Sequence, residues 1–231
     1  MSRATPIFAR KALKNSKGEG QMNASFIPKP TLGRIPVYIQ YLKDLPDDGT
    51  TTISATKIAR GLSLGEVQVR KDLALISGQG KPKIGYERIK LMHDLEYHLG
   101  YENLTNAVLV GAGKIGRALL DYDGFEEFGI RILAGFDCND KVISISNNKT
   151  VLPIKEIEEY CAAHSVRIGI ITVGQGSAQE VCDRLVGCGI KAIWNFTPFR
   201  IRVPEDIVVQ NTSLYAHLAV MFNRLNFNKD K

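Results

Sequence analysis

No apolar run in this chain approaches the roughly 18 residues that a membrane-spanning helix needs, and the basic opening stretch, Met1 to Gln21, lacks the apolar centre of a secretory signal. A cytoplasmic protein with no membrane partner is expected. Cysteine is sparse as well: Cys138, Cys161, Cys182 and Cys188 all lie in the second half, and none forms a C-x-x-C pair. This spacing offers neither a zinc site nor a disulfide framework and suits a reducing compartment. No metal site is expected. Histidine is limited to His93, His98, His164 and His217. None follows a predicted strand end, where a dehydrogenase would keep its proton donor.

What is present is an uneven charge. Residues 1 to 100 hold 16 Lys+Arg against 9 Asp+Glu, and the remainder holds 14 against 15, so the net +6 comes entirely from the first segment. A basic first part suggests a polyanionic partner for that part alone. The 231 residues, 44% of them hydrophobic, are enough for two cores.

Residues 1–27 are rich in Lys, Gly and Asn without apolar periodicity, and read as a mobile basic tail. "TLGRIPVYIQYLKDL" (Thr31 to Leu45) places apolar residues at spacings of three and four, with Pro36 read as a first-turn residue. "ISATKIARGL" predicts a short helix capped by Ser54 and ended by Gly61, and Ser63 with Glu66 forms a capping box that opens the next helix. Two short helices across a glycine turn, behind a longer one, are the plan of a helix-turn-helix. "SGQGKPKIGYERIKL" then reads as a wing, and "LMHDLEYHLG" as a linking helix that ends the DNA-binding domain (28–100) near Gly100.

On the second helix Val69, Leu73 and Ile76 share the docking face, leaving Val67, Gln68, Arg70 and Lys71 outward. Arg and Lys suit guanine or phosphate, Gln suits adenine, and Val suits a thymine methyl. Lys81 and Lys83 flank Pro82 at the expected wing tip, where they would meet phosphates. Ser54, Lys57 and Tyr86 complete the expected DNA set. One module of this size binds weakly, so a dimer on an inverted repeat is expected.

From Thr105 strands and helices alternate, which implies a doubly wound parallel sheet in an α/β fold. Four strands are expected, "NAVLVG", "IRILAGFD", "RIGIITV" and "KAIWNF", with a second capping box at Ser177 and Glu180. Gly111, Gly113 and Gly116 form G-x-G-x-x-G between a strand and a helix, and Asp137 ends the next strand 21 residues beyond Gly116. The loop Gly111, Ala112, Gly113, Lys114, Ile115 and Gly116 would cradle a pyrophosphate. Asp137 would take the adenosine ribose and repel a 2′-phosphate, favouring NAD(H). Thr172 and Val173 after the third strand, and Asn195 and Phe196 after the fourth, should line the same crevice. A coenzyme A or nucleotide scaffold and an NAD-dependent oxidoreductase share this loop, and the oxidoreductase lacks a catalytic residue here.

The last helix, "TSLYAHLAVMFNRLNF" (Thr212 to Phe227), is capped by Thr212 or Ser213 and is apolar around most of its circumference. Such a helix must be covered, and a second copy of the chain is the economical cover. The expected organisation is a tail (1–27), a winged helix-turn-helix domain (28–100), a Rossmann-like NAD(H)-binding domain (101–210) and a dimerisation helix (211–231).

"QVRKDL" (Gln68 to Leu73), "GYE" after the wing, the glycine loop running into "DYDGF" (Asp121 to Phe125), "GFD" ending at Asp137 and "GIKAIWNFTP" (Gly189 to Pro198) together resemble the Rex family of bacterial redox-sensing transcriptional repressors. The resemblance spans about Pro28 to Asn228. It implies a dimer with exchanged C-terminal helices that holds inverted-repeat operators and is released by NADH, and no enzyme. It places the pyrophosphate on Gly111 to Gly116, the ribose on Asp137, and DNA on Arg34, Gln68, Arg70 and Lys71. The family is similar throughout in a polar network of an Arg, a Tyr and an Asp that couples its domains. Gln40, Tyr122 and Ser213 stand at those points here, so both charged members are replaced, which implies a neutral coupling and an altered NADH response.

Overall fold

The computed structural model describes residues 27–47, 49–101, 103–143, 145–146 and 149–227. Apart from Ile27, the tail expected over 1–27 lies outside them.

The first unit starts with α1 (Lys29–Asp44), whose first turn holds Pro30. Pro36 sits inside the helix rather than in that turn, so one backbone bond is absent there. Ile35, Tyr38, Ile39 and Leu42 form the inner face of α1. Then come β1 (Thr52–Ile53), α2 (Ala55–Gly61), α3 (Glu66–Ser77), β2 (Tyr86–Glu87) and α4 (Arg88–Leu99). The Arg88 guanidinium donates to the carbonyls of Leu42, Leu45 and Pro46, satisfying the C-terminus of α1 and tying α4 to it. Gly100 ends α4 in the left-handed conformation.

Ser54 caps α2 as expected, accepting from the Lys57 N–H at 3.1 Å. The turn that follows is built differently from the expectation. Gly61 remains helical, and a Cβ there would lie 2.4 Å from the Tyr41 ring, so it is small for packing. The left-handed residue is Ser63 (φ 54°), and Gly65 is the N-cap of α3, so the Ser63–Glu66 box does not form. The Ser177–Glu180 box is absent too: Ser177 ends a short 3-10 turn and makes no side-chain cap.

The second unit runs β3 (Thr105–Val110), α5 (Lys114–Leu120), β4 (Ile130–Asp137), β5 (Ile145–Ser146), β6 (Lys149–Pro153), α6 (Ile157–His164), β7 (Ile168–Ile171), α7 (Ala178–Gly187), β8 (Ala192–Asn195), β9 (Val208–Asn211) and α8 (Leu214–Phe227). Its sheet has the order β5-β6-β4-β3-β7-β8-β9, with only β5 antiparallel. This is the doubly wound sheet expected, extended by β6 and β9, which flank the four central strands. Val108 and Val110 pack with Phe136, Ile171 and Leu185 on one face, and Ala107 and Leu109 with Ile132 and Ile170 on the other. Both faces of β3 are buried, as its unbroken apolar run requires. Strands after β3 are added first on its β4 side and then, from β7, on the other, so the strand order switches between β3 and β7 and a crevice opens beyond their carboxyl ends.

Candidate nucleic-acid interface and nucleotide cleft

α3 docks through Val69, Leu73 and Ile76, which are at most 3% exposed, and leaves Val67, Gln68, Arg70 and Lys71 at the surface. Beyond α3 the chain folds back on itself where Lys81 bridges Gly85, and Lys83 takes φ 64° at the tip. Gly85 lies so near β1 that a Cβ would meet the Ile53 carbonyl at 2.3 Å. Between α3 and this wing lies a cleft of about 530 Å³ lined by Ser54, Thr56, Arg70, Lys71, Lys81 and Lys83, among others, with no carboxylate. Four cations around one concavity make a site for a polyanion.

The expected DNA residues do not all stand in this cleft. Lys57 lines a separate small pocket beside Arg88. Tyr86 is only 8% exposed, packs beneath Gly80 and seats the wing while showing an edge to the cleft. Arg70 is ion-paired to Glu66 one turn earlier on the solvent side. Arg34 reaches from α1 to Asp72 of α3, with Nε 2.7 Å from Oδ2 and Nη2 2.9 Å from Oδ1. Asp72 also accepts from the hydroxyls of Tyr38 at 2.7 Å and Thr31 at 3.0 Å. Burial pushes the Asp72 carboxyl up, but the hydrogen bonds from Arg34, Tyr38 and Thr31 outweigh it and hold the group below its ordinary value. Sequence reasoning missed Asp72. Its signal was a lone acid on the apolar side of a basic helix, between Leu73 and Val69.

At the second site Gly111 takes φ +101°, and a Cβ there would lie 2.8 Å from the Thr172 carbonyl carbon. A Cβ on Gly116 would lie 2.0 Å from the Gly111 oxygen, whereas Gly113 faces open space within 4 Å. Two glycines therefore shape the loop and the third leaves room above it. The Thr172 hydroxyl donates to the Gly111 carbonyl at 2.7 Å, locking the end of β7 to the loop. The Asp137 Oδ2 accepts from the Ala112 N–H at 2.8 Å and Oδ1 from the Asn139 N–H at 2.9 Å. A cleft of about 360 Å³ joins Gly111, Gly113, Asp137, Thr172 and Val173.

Lys114 and Ile115 are exposed on α5, and neither lines that cleft. Asn195 is fully buried, its amide bonded to Phe199, Asn211 and Thr197. Phe196 packs on Trp194 at 4.6 Å between ring centres and does not line that cleft. Residues not foreseen complete the cleft: Cys138 and Ile154 near Asp137, and Ser177, Glu180, Val181 and Arg184 from α7 and the turn before it. Arg184 is paired with Glu158 of α6 at 3.0 Å. The buried thiols Cys161 and Cys182 are pushed up by burial to about 12 and about 11, so both stay protonated at neutral pH. His98, His164 and His217 each bind a carbonyl one turn back on their own helix, at 2.8 Å.

Gln40, Tyr122 and Ser213 have separate local partners within one chain. Gln40 donates to Asp44 at 2.9 Å, and Ser213 caps α8 by accepting from the Ala216 N–H at 3.2 Å. The Tyr122 ring lies 4.9 Å from Phe125, which is 5.7 Å from Trp194, whose indole N–H donates to Thr212 at 2.8 Å. An aromatic path thus runs from Tyr122 to the residue before Ser213. α8 itself is exposed along its length, with Tyr215 69% and Phe227 77% accessible.

Among the described residues no helix is long and apolar enough to cross a membrane, and no group of His, Cys, Asp and Glu is arranged to hold a metal ion. Two family models match the chain: one described as "Putative DNA-binding protein N-terminus" over residues 26–74, and one described as "CoA binding domain" over residues 102–199. The chain is 45% identical over 218 residues to the redox-sensing transcriptional repressor Rex of Bacteroides thetaiotaomicron, covering 91% of this chain and 96% of the relative. To the Rex repressor of Carboxydothermus hydrogenoformans it is 41% identical over 197 residues, covering 84% and 94%. Among solved structures it is similar to RSP, a Rex-family repressor, at 30% identity over 89% of this chain. The TM-score is 0.82 for RSP in complex with beta-NAD+ and operator DNA, over 95% of that chain, and 0.77 for RSP in complex with beta-NADH, over 97%. Both relatives are named as redox-sensing transcriptional repressors. By sequence and by structure, this chain belongs to the Rex family of redox-sensing transcriptional repressors.

Proposed function

We propose that the protein binds operator DNA as a homodimer on an inverted repeat and leaves it when NADH binds, so that occupancy follows the NADH/NAD+ ratio. The observation that carries this reading is a cationic cleft beside α3 in the same chain as a glycine-loop cleft ending in Asp137. The domains are a DNA-binding unit over 28–100, an NAD(H)-binding unit over 101–210 and a dimerisation helix over 211–231. A regulator of this kind works in the cytoplasm, with the DNA.

The nucleotide cleft fits a dinucleotide. Gly113 faces open space, so backbone N–H groups of the loop are accessible to a pyrophosphate. Each Asp137 oxygen already accepts one N–H and keeps a lone pair for a ribose hydroxyl. Its negative charge disfavours a phosphate on that ribose, which opposes NADP(H) and coenzyme A phosphorylated there. When bound, NADH brings a neutral nicotinamide ring where NAD+ brings a cationic one, so redox discrimination reduces to sensing that charge and shape. Release requires the reduced form to favour a dimer that cannot hold DNA, since a ligand of equal affinity for both states shifts nothing.

Fluorescence titration of the purified full chain with NADH, NAD+ and coenzyme A, with and without a bound operator duplex, tests the reading. NADH alone should displace DNA. Equal displacement by NADH and NAD+, or none by either, would remove redox sensing.

A further inference from the structure

Gln68 lies in the first turn of α3, the part of a recognition helix that meets base edges. A free glutamine offers one acceptor and one pair of donors, which is why it matches adenine: N6 gives a proton and N7 takes one. Gln68 is not free. Its amide end lies against the Arg34 guanidinium, which has only donors to offer, and with Oε1 assigned to that side it accepts from Nη1 at 2.9 Å and from Nη2 at 3.0 Å. The opposite amide orientation would set donors against donors. Both lone pairs of Oε1 are therefore occupied.

Arg34 is held in that pose by Asp72, which takes its Nε and Nη2. Asp72 is 5% exposed and fixed by Tyr38 and Thr31 in turn. Between them Gln68 and Arg34 keep the two amide N–H groups of Gln68 and one remaining N–H on Arg34 Nη1. Each of these is a donor, and the one carboxylate in this first turn, Glu66, is engaged by Arg70.

We propose that Arg34, Gln68 and Asp72 act as one donor-only reading unit, in which Asp72 is the positioning residue and Gln68 selects guanine in place of adenine. Guanine shows two acceptors in the major groove, O6 and N7. Adenine and cytosine show an amino donor there, and Gln68 has no acceptor left to receive it. The inference rests on the operator-binding reading above.

The test begins with duplexes enriched from a randomised pool by the full chain without NADH. Binding is then measured by fluorescence anisotropy on single-base variants, with wild type, Gln68→Met and Asp72→Asn. Gln68→Met keeps the length of an exposed side chain and removes its amide. One guanine per half-site should be sensitive to replacement by 7-deazaguanine, weakening wild-type binding about tenfold, the scale of one base contact. Gln68→Met should bind the intact duplex correspondingly less well and lose no more at that base, and Asp72→Asn should begin to accept adenine there. An adenine at the position that depends on Gln68, with binding lost when its N6 amino group is removed, would overturn the proposal while leaving DNA binding intact. Equal weakening of Gln68→Met on every duplex would assign Gln68 to phosphate and also overturn it. Failure to enrich any sequence would overturn the operator reading and this inference together.

Discussion

Asp72 of α3 and Arg34 of α1 form a two-pronged ion pair, with contacts of 2.7 and 2.9 Å, and the Asp72 side chain is 6% exposed. The pair joins α3 to α1 and fixes the guanidinium against which the Gln68 amide lies. Removing the carboxylate leaves Arg34, Tyr38 and Thr31 without their acceptor, so Asp72→Ala should lower stability by about 2 to 3 kcal/mol. Chemical denaturation measures this.

The same pair sets a pH dependence. The folded carboxyl lies below its ordinary value, so the stability it contributes is fully present above the ordinary aspartate range and is lost as pH falls through the folded value. Tyr38 has the opposite sign. Burial, then the Asp72 contact, push its hydroxyl up to about 12, so its contribution is present below about pH 10 and lost as pH rises towards 12. Between these limits the pair should leave stability flat. Asp72→Asn should flatten the acid limb, and an unchanged acid limb in that variant would refute the assignment.

Arg70 borders the cationic cleft but is engaged by Glu66. Both side chains are largely solvated, so the pair contributes little to stability and is easily exchanged for a base or phosphate. Arg70→Ala should cost about 1 to 3 kcal/mol on the preferred operator if Arg70 reads a base. Glu66→Gln should tighten binding modestly. Unchanged affinity in Arg70→Ala would exclude it from the interface.

The three loop glycines give separable outcomes. Gly116→Ala drives a methyl against the Gly111 carbonyl and should destabilise the second unit before any ligand is added. Gly113→Ala meets nothing in the protein, at an ordinary φ of −71°, and should melt like wild type. It should nonetheless bind NADH about tenfold or more weakly, the equivalent of ~1.4 kcal/mol. Isothermal titration beside thermal melting distinguishes the two, and full NADH affinity in Gly113→Ala would argue that the ligand does not pass over this loop.

The sequence made the two units legible because their signals are local. Apolar spacing located α1, α3 and α4, and the glycine loop located the end of β3 and the start of α5. β9 escaped because its apolar run is only Ile207 to Val209 and the strand continues into Gln210 and Asn211, too short and too polar at its end to read as a strand of this sheet. Ser63 and Ser177 matched a capping pattern whose formation depends on backbone angles that tertiary packing overrode. Asn195 sat at a strand end, where ligands bind, but was spent on the protein's own backbone. The Arg34–Asp72–Gln68 relay links residues 34 apart or more and leaves no periodic trace.

Gln40 and Ser213 offer a test of how the two units communicate. Ser213→Asp keeps an acceptor for the α8 cap, and Gln40 is an exposed residue whose partner is Asp44 on its own helix, so the double variant Gln40→Arg plus Ser213→Asp should fold normally. Restoring the charged pair should change the NADH concentration that releases DNA. Equal sensitivity in wild type and double variant would show that these positions do not set the response.

α8 supplies the remaining prediction. Leu214, Tyr215, Leu218, Val220, Met221, Phe222, Leu225 and Phe227 are each 44 to 77% exposed in the single chain. A contiguous apolar surface of this kind is kept in water only when something covers it, and a second copy supplies that cover symmetrically. Deleting the chain from Thr212 onward should give a monomer by sedimentation equilibrium. It should also weaken operator binding far more than NADH binding, because the glycine loop and Asp137 belong to one subunit while an inverted repeat needs two. A truncated chain that stayed dimeric would move the interface to another face. A dimeric full chain whose truncation bound operator equally well would separate dimerisation from DNA recognition.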